Sequence, residues 1–186
     1  MTLGQQHLDV SLRIMNFYRD AELQGARLVL NLHRHLLDKD SQIKLSRHLM
    51  DETRHALLWT KRICDLGGTP IAVADGYQRR IGQRIGVPRD EVALLALTLI
   101  AENRALLRYL NHAEQPDVDE DTLEVLKAVT DDEHWHLHWI GEKLSELAEE
   151  RDEQERASRL VERYQAVERE VYATFEVEEA ELVGRL

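Results

Sequence analysis

Cysteine is nearly absent from this chain, and proline and aromatic side chains are scarce. One cysteine, Cys64, leaves no disulfide framework and no thiolate metal cluster, and it fits a reducing compartment. Three prolines and nine glycines are too few for a strand-and-turn protein or a disordered linker. Positive charge is in deficit: 24 lysines and arginines face 35 aspartates and glutamates, a net charge of −11. Nucleic-acid backbones and anionic membranes attract a positive face, so neither is expected as a partner. The longest near-apolar run, over 92–101, is about half of the roughly 20 residues that a membrane span needs. The N-terminal MTLGQQHLDV lacks the basic stretch and apolar core of a secretion signal, so a cytoplasmic location is expected.

What the chain does have is helix formers. Its 186 residues are 43% apolar and 32% charged, with Leu, Ala, Glu and Arg abundant, which predicts an all-helical protein with a real core. A first helix is expected over 8–37, where Leu12, Met15, Tyr18, Val29, Leu32 and Leu36 recur every three or four residues. The polar break Asp38-Lys39-Asp40-Ser41 offers N-cap residues for a second helix over 41–66, which stops at Gly67-Gly68. The stretch 67–89 holds two of the three prolines and five of the nine glycines. It is too long for a tight turn and reads as a crossover along a bundle, with a short helix over 77–84. A third helix starts after Pro88 with Asp90 as its cap and ends before Pro116. A fourth begins near Asp119 and passes through His136. Two helix pairs joined by one long crossover predict an antiparallel four-helix bundle over 1–148. The third helix is apolar around most of its circumference, so a second cover is expected, from the C-terminal segment or a second subunit. A homodimer is expected on that ground.

Residues 149–186 form an acidic C-terminal helical extension in this reading. Twelve acidic and five basic residues over 149–181 give −7 of the total charge. A stripe of Leu160, Tyr164, Val167, Val171 and Phe175 predicts that the segment packs on the bundle or on another chain.

Two Glu-x-x-His pairs stand out, Glu52 with His55 and Glu133 with His136. Each places a carboxylate and an imidazole one turn apart on one helix face. A single pair carries little weight, since 21 glutamates and nine histidines produce about one by chance. The register carries more. The interval from Glu22 to Glu52 equals that from Glu102 to Glu133 to within a single position. The interval from Glu52 to Glu133 is the same as that from His55 to His136. The chain is a pseudo-repeat of two helical hairpins, each with one lone glutamate and one Glu-x-x-His. At a rise of about 1.5 Å per residue, a spacing of roughly 30 runs up one helix and returns to the same height on the next. Four glutamates and two histidines then converge. Glu102 interrupts an apolar run, where an unpaired carboxylate is costly. Four carboxylates balance two divalent cations, and oxygen donors with two imidazoles suit Fe or Mn.

Other residues keep two readings. Asp51 and Asp132, each four before a histidine of the set, orient an imidazole or are surface charges. Tyr18 and Tyr109 are core packing, or hydrogen-bonding or redox tyrosines. His134 and His138 form a solvated pair. His48 has no repeat counterpart, since Val129 stands there, and reads as packing or a channel residue. Gly25 and Ala105, three residues after the lone glutamates, leave space. Arg79, Arg80, Arg84 and Arg89 form a basic patch that neutralises the acidic tail or takes an anion.

At these residues the chain resembles the ferritin-like di-iron carboxylate superfamily, over roughly residues 10–148. The resemblance implies that Glu22, Glu52, His55, Glu102, Glu133 and His136 ligate two metal ions, with Glu52 and Glu133 bridging and the lone glutamates terminal. Bacterioferritins, rubrerythrins, demethoxyubiquinone hydroxylases and aldehyde-deformylating oxygenases share the pattern, so it does not name a substrate. Thr53 stands where bacterioferritin has its haem-ligating Met, so haem is not expected. Ala105 stands where rubrerythrin has an extra Glu, and the rubredoxin-like Cys-x-x-Cys is missing, against a typical rubrerythrin. The implied activity is that of a di-iron oxidoreductase acting with O2 on a small molecule, as oxidase or oxygenase. The cofactor would be two Fe ions, or a Mn/Fe or Mn/Mn pair. Reducing equivalents would come from an external electron donor, the substrate or iron itself. Ferroxidase-like or peroxidase-like handling of iron and peroxide is the second reading. A helical interaction protein without metal is the third.

Overall fold

A computed structural model of the chain describes residues 3–86 and 88–183, and side chains over 8–86 and 88–175. Six helices follow one another: α1 (Leu3–Leu32), α2 (Lys39–Asp65), α3 (Tyr77–Ile85), α4 (Glu91–Ala113), α5 (Glu120–Glu150) and α6 (Gln154–Val183). The order and type of the elements match the sequence reading. The first helix differs at its end: it stops at Leu32, five residues early, and 33–35 form a turn held by Gln42. Its side-chain amide donates to the carbonyls of His33 and Leu36.

Local chemistry sets the other boundaries. Asp38, Asp90 and Asp119 cap α2, α4 and α5, each side chain accepting from a backbone N–H three residues on. Gly67 at φ 77° ends α2, and Gly67 and Gly68 donate back to Cys64 and Ile63. The α5–α6 break has no glycine. Asp152 takes the left-handed position at φ 56°, while Asp152 and Glu153 donate to Glu149 and Ala148. That is the same closing motif built on an aspartate, a residue type that tolerates this conformation.

α1 pairs with α2 and α4 with α5, and the two hairpins meet through α1 on α4 and α2 on α5. The segment after α2 carries the chain across to α4, with α3 resting on α6 and α1. α4 is buried on most sides, as its composition predicts, and its further cover is α6 of the same chain.

The buried apolar residues divide into two clusters. One holds Val29, Leu32, Leu45, Ile100 and Trp139, together with Tyr164, Val171 and Phe175 of α6. The other holds Met15, Tyr18, Trp59, Tyr109, Leu126 and Val129. Along each of the four bundle helices a polar stretch lies between the two: Glu22, then Glu52 and His55, then Glu102, then Glu133 and His136. A charged layer crosses the middle of the bundle at one height, where the hairpin register puts it.

Candidate metal centre

All six residues are buried, with His55 and His136 at 0% exposure. Together with His48, also buried, they form two overlapping groups that share Glu52. Glu22, Glu52, His55 and Glu133 make one, and His48, Glu52, Glu102 and His136 the other. Within each group one ligand atom per residue lies within 4.8 Å of the rest. His55 Nδ1 is 3.2 Å from Glu22 Oε2 and 3.3 Å from Glu133 Oε1. His136 Nδ1 is 3.5 Å from Glu133 Oε2, 3.6 Å from Glu52 Oε1 and 3.7 Å from Glu102 Oε2.

Both imidazoles turn Nδ1 inward and Nε2 outward to an aspartate, and the pairing crosses between helices. His55 on α2 meets Asp132 on α5 at 3.1 Å, while His136 on α5 meets Asp51 on α2 at 3.4 Å. Each aspartate thus orients the histidine of the facing motif, not the one four residues ahead of it. With a metal bound, acceptors so placed would hold a proton on Nε2 and leave the Nδ1 lone pair for the ion. Arg54 donates to Asp132 and closes this corner.

Electrostatics of the metal-free cluster reflect crowding. Burial pushes Glu22 up to about 7, against the lowering pull of His55. Burial and the charge of Glu102 push Glu52 up to about 8. Burial also raises Glu102, yet His48 and His136 overcome it and hold that carboxyl well below the usual range. Burial opposes charge on His55 and His136. Glu22 and Glu133 outweigh it at His55, which reaches about 10. Asp51, Glu102 and Glu133 outweigh it at His136, which reaches about 12. Both oxygens of Glu133 and Nδ1 of His136 are buried with no hydrogen-bond partner. Buried polar atoms left this way, in a layer of ligand types, are what a metal pair satisfies. A Cβ on Gly25 would collide with the Glu52 carboxylate, so the shared ligand lies against bare α1 backbone. The donor set therefore fits two divalent ions.

The remaining sequence candidates fall as follows. Tyr109 is buried and donates its hydroxyl to Glu22. Tyr18 packs against Trp59 and Tyr109 at ring separations of 5.0 and 4.9 Å. Ala105 packs at the edge of the second cluster. His134 and His138 are exposed, with His138 3.2 Å from Glu142. In the basic patch, Arg84 reaches Glu170 of α6 at 3.0 Å and Arg80 pairs with Asp75. Arg79 donates to the Ala74 carbonyl. His48, read from sequence as packing or a channel residue, joins the cluster instead, with Nε2 3.2 Å from Glu52 and 3.3 Å from Glu102. The signal was its place one turn before Glu52 on the same face.

No protein-family model matches the chain, and no curated protein does. Among solved structures it is similar to the bacterioferritin-related protein of Bacteroides fragilis, described as a dodecameric thioferritin. The TM-score is 0.56 at 22% identity, covering 77% of this chain and 91% of the other. The chain therefore has a ferritin-like helical fold, with two buried carboxylate–imidazole groups at its centre that are compatible with a dinuclear metal site.

Proposed function

We propose that this protein is a dinuclear non-haem iron oxidoreductase that uses O2 to oxidise a small organic molecule. One observation carries the reading: four glutamates and two histidines from four helices meet in a buried layer, in two groups joined by Glu52. Two iron ions held there would supply the electrons for reducing O2. The chain supplies the rest. Glu52 lies between the two groups, Glu22 and Glu102 close the outer ends, and Glu133 faces both histidines. Asp132 and Asp51 fix the imidazole tautomers. Tyr109 holds one oxygen of Glu22 by donation, leaving the other toward His55. The apolar clusters on either side keep bulk water from the layer. The same donor types would also suit manganese, as a Mn/Fe or Mn/Mn pair. With a single cysteine the chain has no Cys-x-x-Cys electron carrier, so reducing equivalents would come from an external donor, the substrate or iron itself. A cytoplasmic location is part of the same proposal. The cover that the apolar α4 called for comes from α6 of the same chain, so a homodimer would have to form through another face. Among the described residues no helix is long and apolar enough to cross a membrane.

The second reading, handling of iron and peroxide, is favoured by the fold likeness to a protein described as a dodecameric thioferritin. Metal content after expression with iron, with an anaerobic Fe(II) titration followed by O2, tests both. Two metals per chain with O2 consumed are expected, and Glu102→Ala should lose at least one of them. O2 uptake that depends on an organic compound supports the first reading. Fe(II) oxidation with peroxide loss and a hollow assembly in solution supports the second. No metal, or loading indifferent to Glu102, overturns both.

A further inference from the structure

His48 is fully buried and breaks the repeat. Its counterpart in the second hairpin is Val129, which is also fully buried but lies in the apolar cluster with Trp59 and Tyr109. The two halves of the centre are therefore finished differently. Beside Glu22 stands the Tyr109 phenol, a hydrogen-bond donor. Beside Glu102 stands the His48 imidazole, with Nε2 3.3 Å from Glu102 Oε1 and 3.2 Å from Glu52 Oε1. Its ring stacks on His136 with centroids 3.7 Å apart and 21° between planes. Trp139 meets it edge-on at 5.7 Å, and Trp135 at 6.4 Å. No acceptor aims this imidazole, since its Nδ1 has no hydrogen-bond partner. Ring packing aims it, and the atom it directs into the cluster is Nε2.

We propose that His48 is a seventh ligand, binding through Nε2 on the Glu102 side, so that the two metal positions are chemically unequal. This rests on the reading of the cluster as a dimetal centre. One position then has Glu102, His136 and His48 with the shared Glu52. The other has Glu22, His55 and Glu133 with the same Glu52. The first is a set of two imidazoles and two carboxylates, and the second has three carboxylates and a single imidazole. Imidazole favours borderline ions such as Fe(II) and Co(II), whereas carboxylates suit harder Mn(II). The two-imidazole position fills first with Fe(II) or Co(II), and loading is stepwise. A mixed pair would place manganese on the Glu22 side.

The probe is Co(II), added anaerobically to the metal-free full chain. X-ray absorption at one equivalent should show two imidazoles per cobalt, and one imidazole would overturn the proposal. In a visible-absorption titration His48→Gln should weaken the first step by about ten-fold or more, on the scale of losses at metal-site partners. His55→Gln should weaken the second step instead. Circular dichroism checks that each variant keeps its helices, and the wild-type spectrum decides the matter if His48→Gln does not fold. Two cobalt ions per chain with unchanged steps in a folded His48→Gln would remove His48 from the ligand set and leave the dimetal reading standing. A wild-type chain that binds no cobalt would overturn both.

Discussion

A glycine faces the carboxylate that the two ligand groups share. In a helix interior, alanine is favoured over glycine by about 1 kcal/mol. Gly25 lies inside α1, and a methyl there would meet Glu52 Oε2, the mobile end of a side chain. The carboxylate would swing aside more readily than the helix would move. Gly25→Ala is therefore expected to keep or slightly raise the stability of the metal-free protein while lowering its metal content below that of the wild type. Metal analysis beside thermal unfolding of the same samples checks it; full loading would show that Glu52 has room to spare. The need for a small residue at this position was legible from its spacing after Glu22, and so were the six proposed ligands. The partnership of the aspartates was less so. Asp51 and Asp132 are each four residues before a histidine, but the bundle brings each against the histidine of the opposite helix. His48 escaped because a repeat reveals only what is repeated.

At the scale of elements, α6 shows what composition hides. Its surplus of acidic residues reads as a solvated face, and the stripe through Tyr164, Val171 and Phe175 reads correctly as its packing side. Glu168 lies on that same side, four residues after Tyr164, and is buried. It accepts from Arg104 of α4 at 2.6 and 3.0 Å and from the Tyr77 hydroxyl of α3 at 3.0 Å. One carboxylate thus pins three helices, and Arg104 also lies over the Tyr172 ring at 3.7 Å. Glu168→Ala would leave the Arg104 charge and a buried phenol without their acceptor. Arg104 keeps some access to solvent, which softens the loss, so about 2 kcal/mol is expected. Glu168→Gln, which retains an acceptor, should cost less. Urea unfolding of the two variants ranks them; equal losses would mean that shape rather than charge matters here. The change in charge placed the division between bundle and extension at 148/149, but the α5–α6 turn itself, at 151–153, carries no turn residue to mark it. Breaks are read from glycine and proline, and this one is closed by Asp152.

Across the whole molecule the fold was legible because of one long-range regularity. The offset between hairpins, which carries Glu52 to Glu133 and His55 to His136 and brings Glu22 to within one position of Glu102, sets the height of the six repeated side chains in the core. The same regularity makes the stability of the bundle depend on what fills that layer. Without metal, Glu22 at about 7 and Glu52 at about 8 hold protons that the unfolded chain releases near 4.5. From pH 4.5 upward the folded state therefore binds more protons than the unfolded one, and stability falls as pH rises through their folded values. His55 at about 10 and His136 at about 12 act in the same direction above 6.5, where unfolded histidines lose their charge. The helix caps Asp38, Asp90 and Asp119, whose carboxyls are lowered, stabilise the fold above 3.8 and lose that effect only in stronger acid. They do not oppose the trend near neutrality. Metal ions would take the place of the bound protons, so their binding strengthens with pH while the empty bundle weakens. The gap in melting temperature between Mn(II)-loaded and metal-free protein should therefore widen steadily between roughly pH 5.5 and 9. A gap that stayed constant would mean that the four glutamates and their histidines exchange no protons on loading, and the buried layer would then owe its charge balance to something other than a cation.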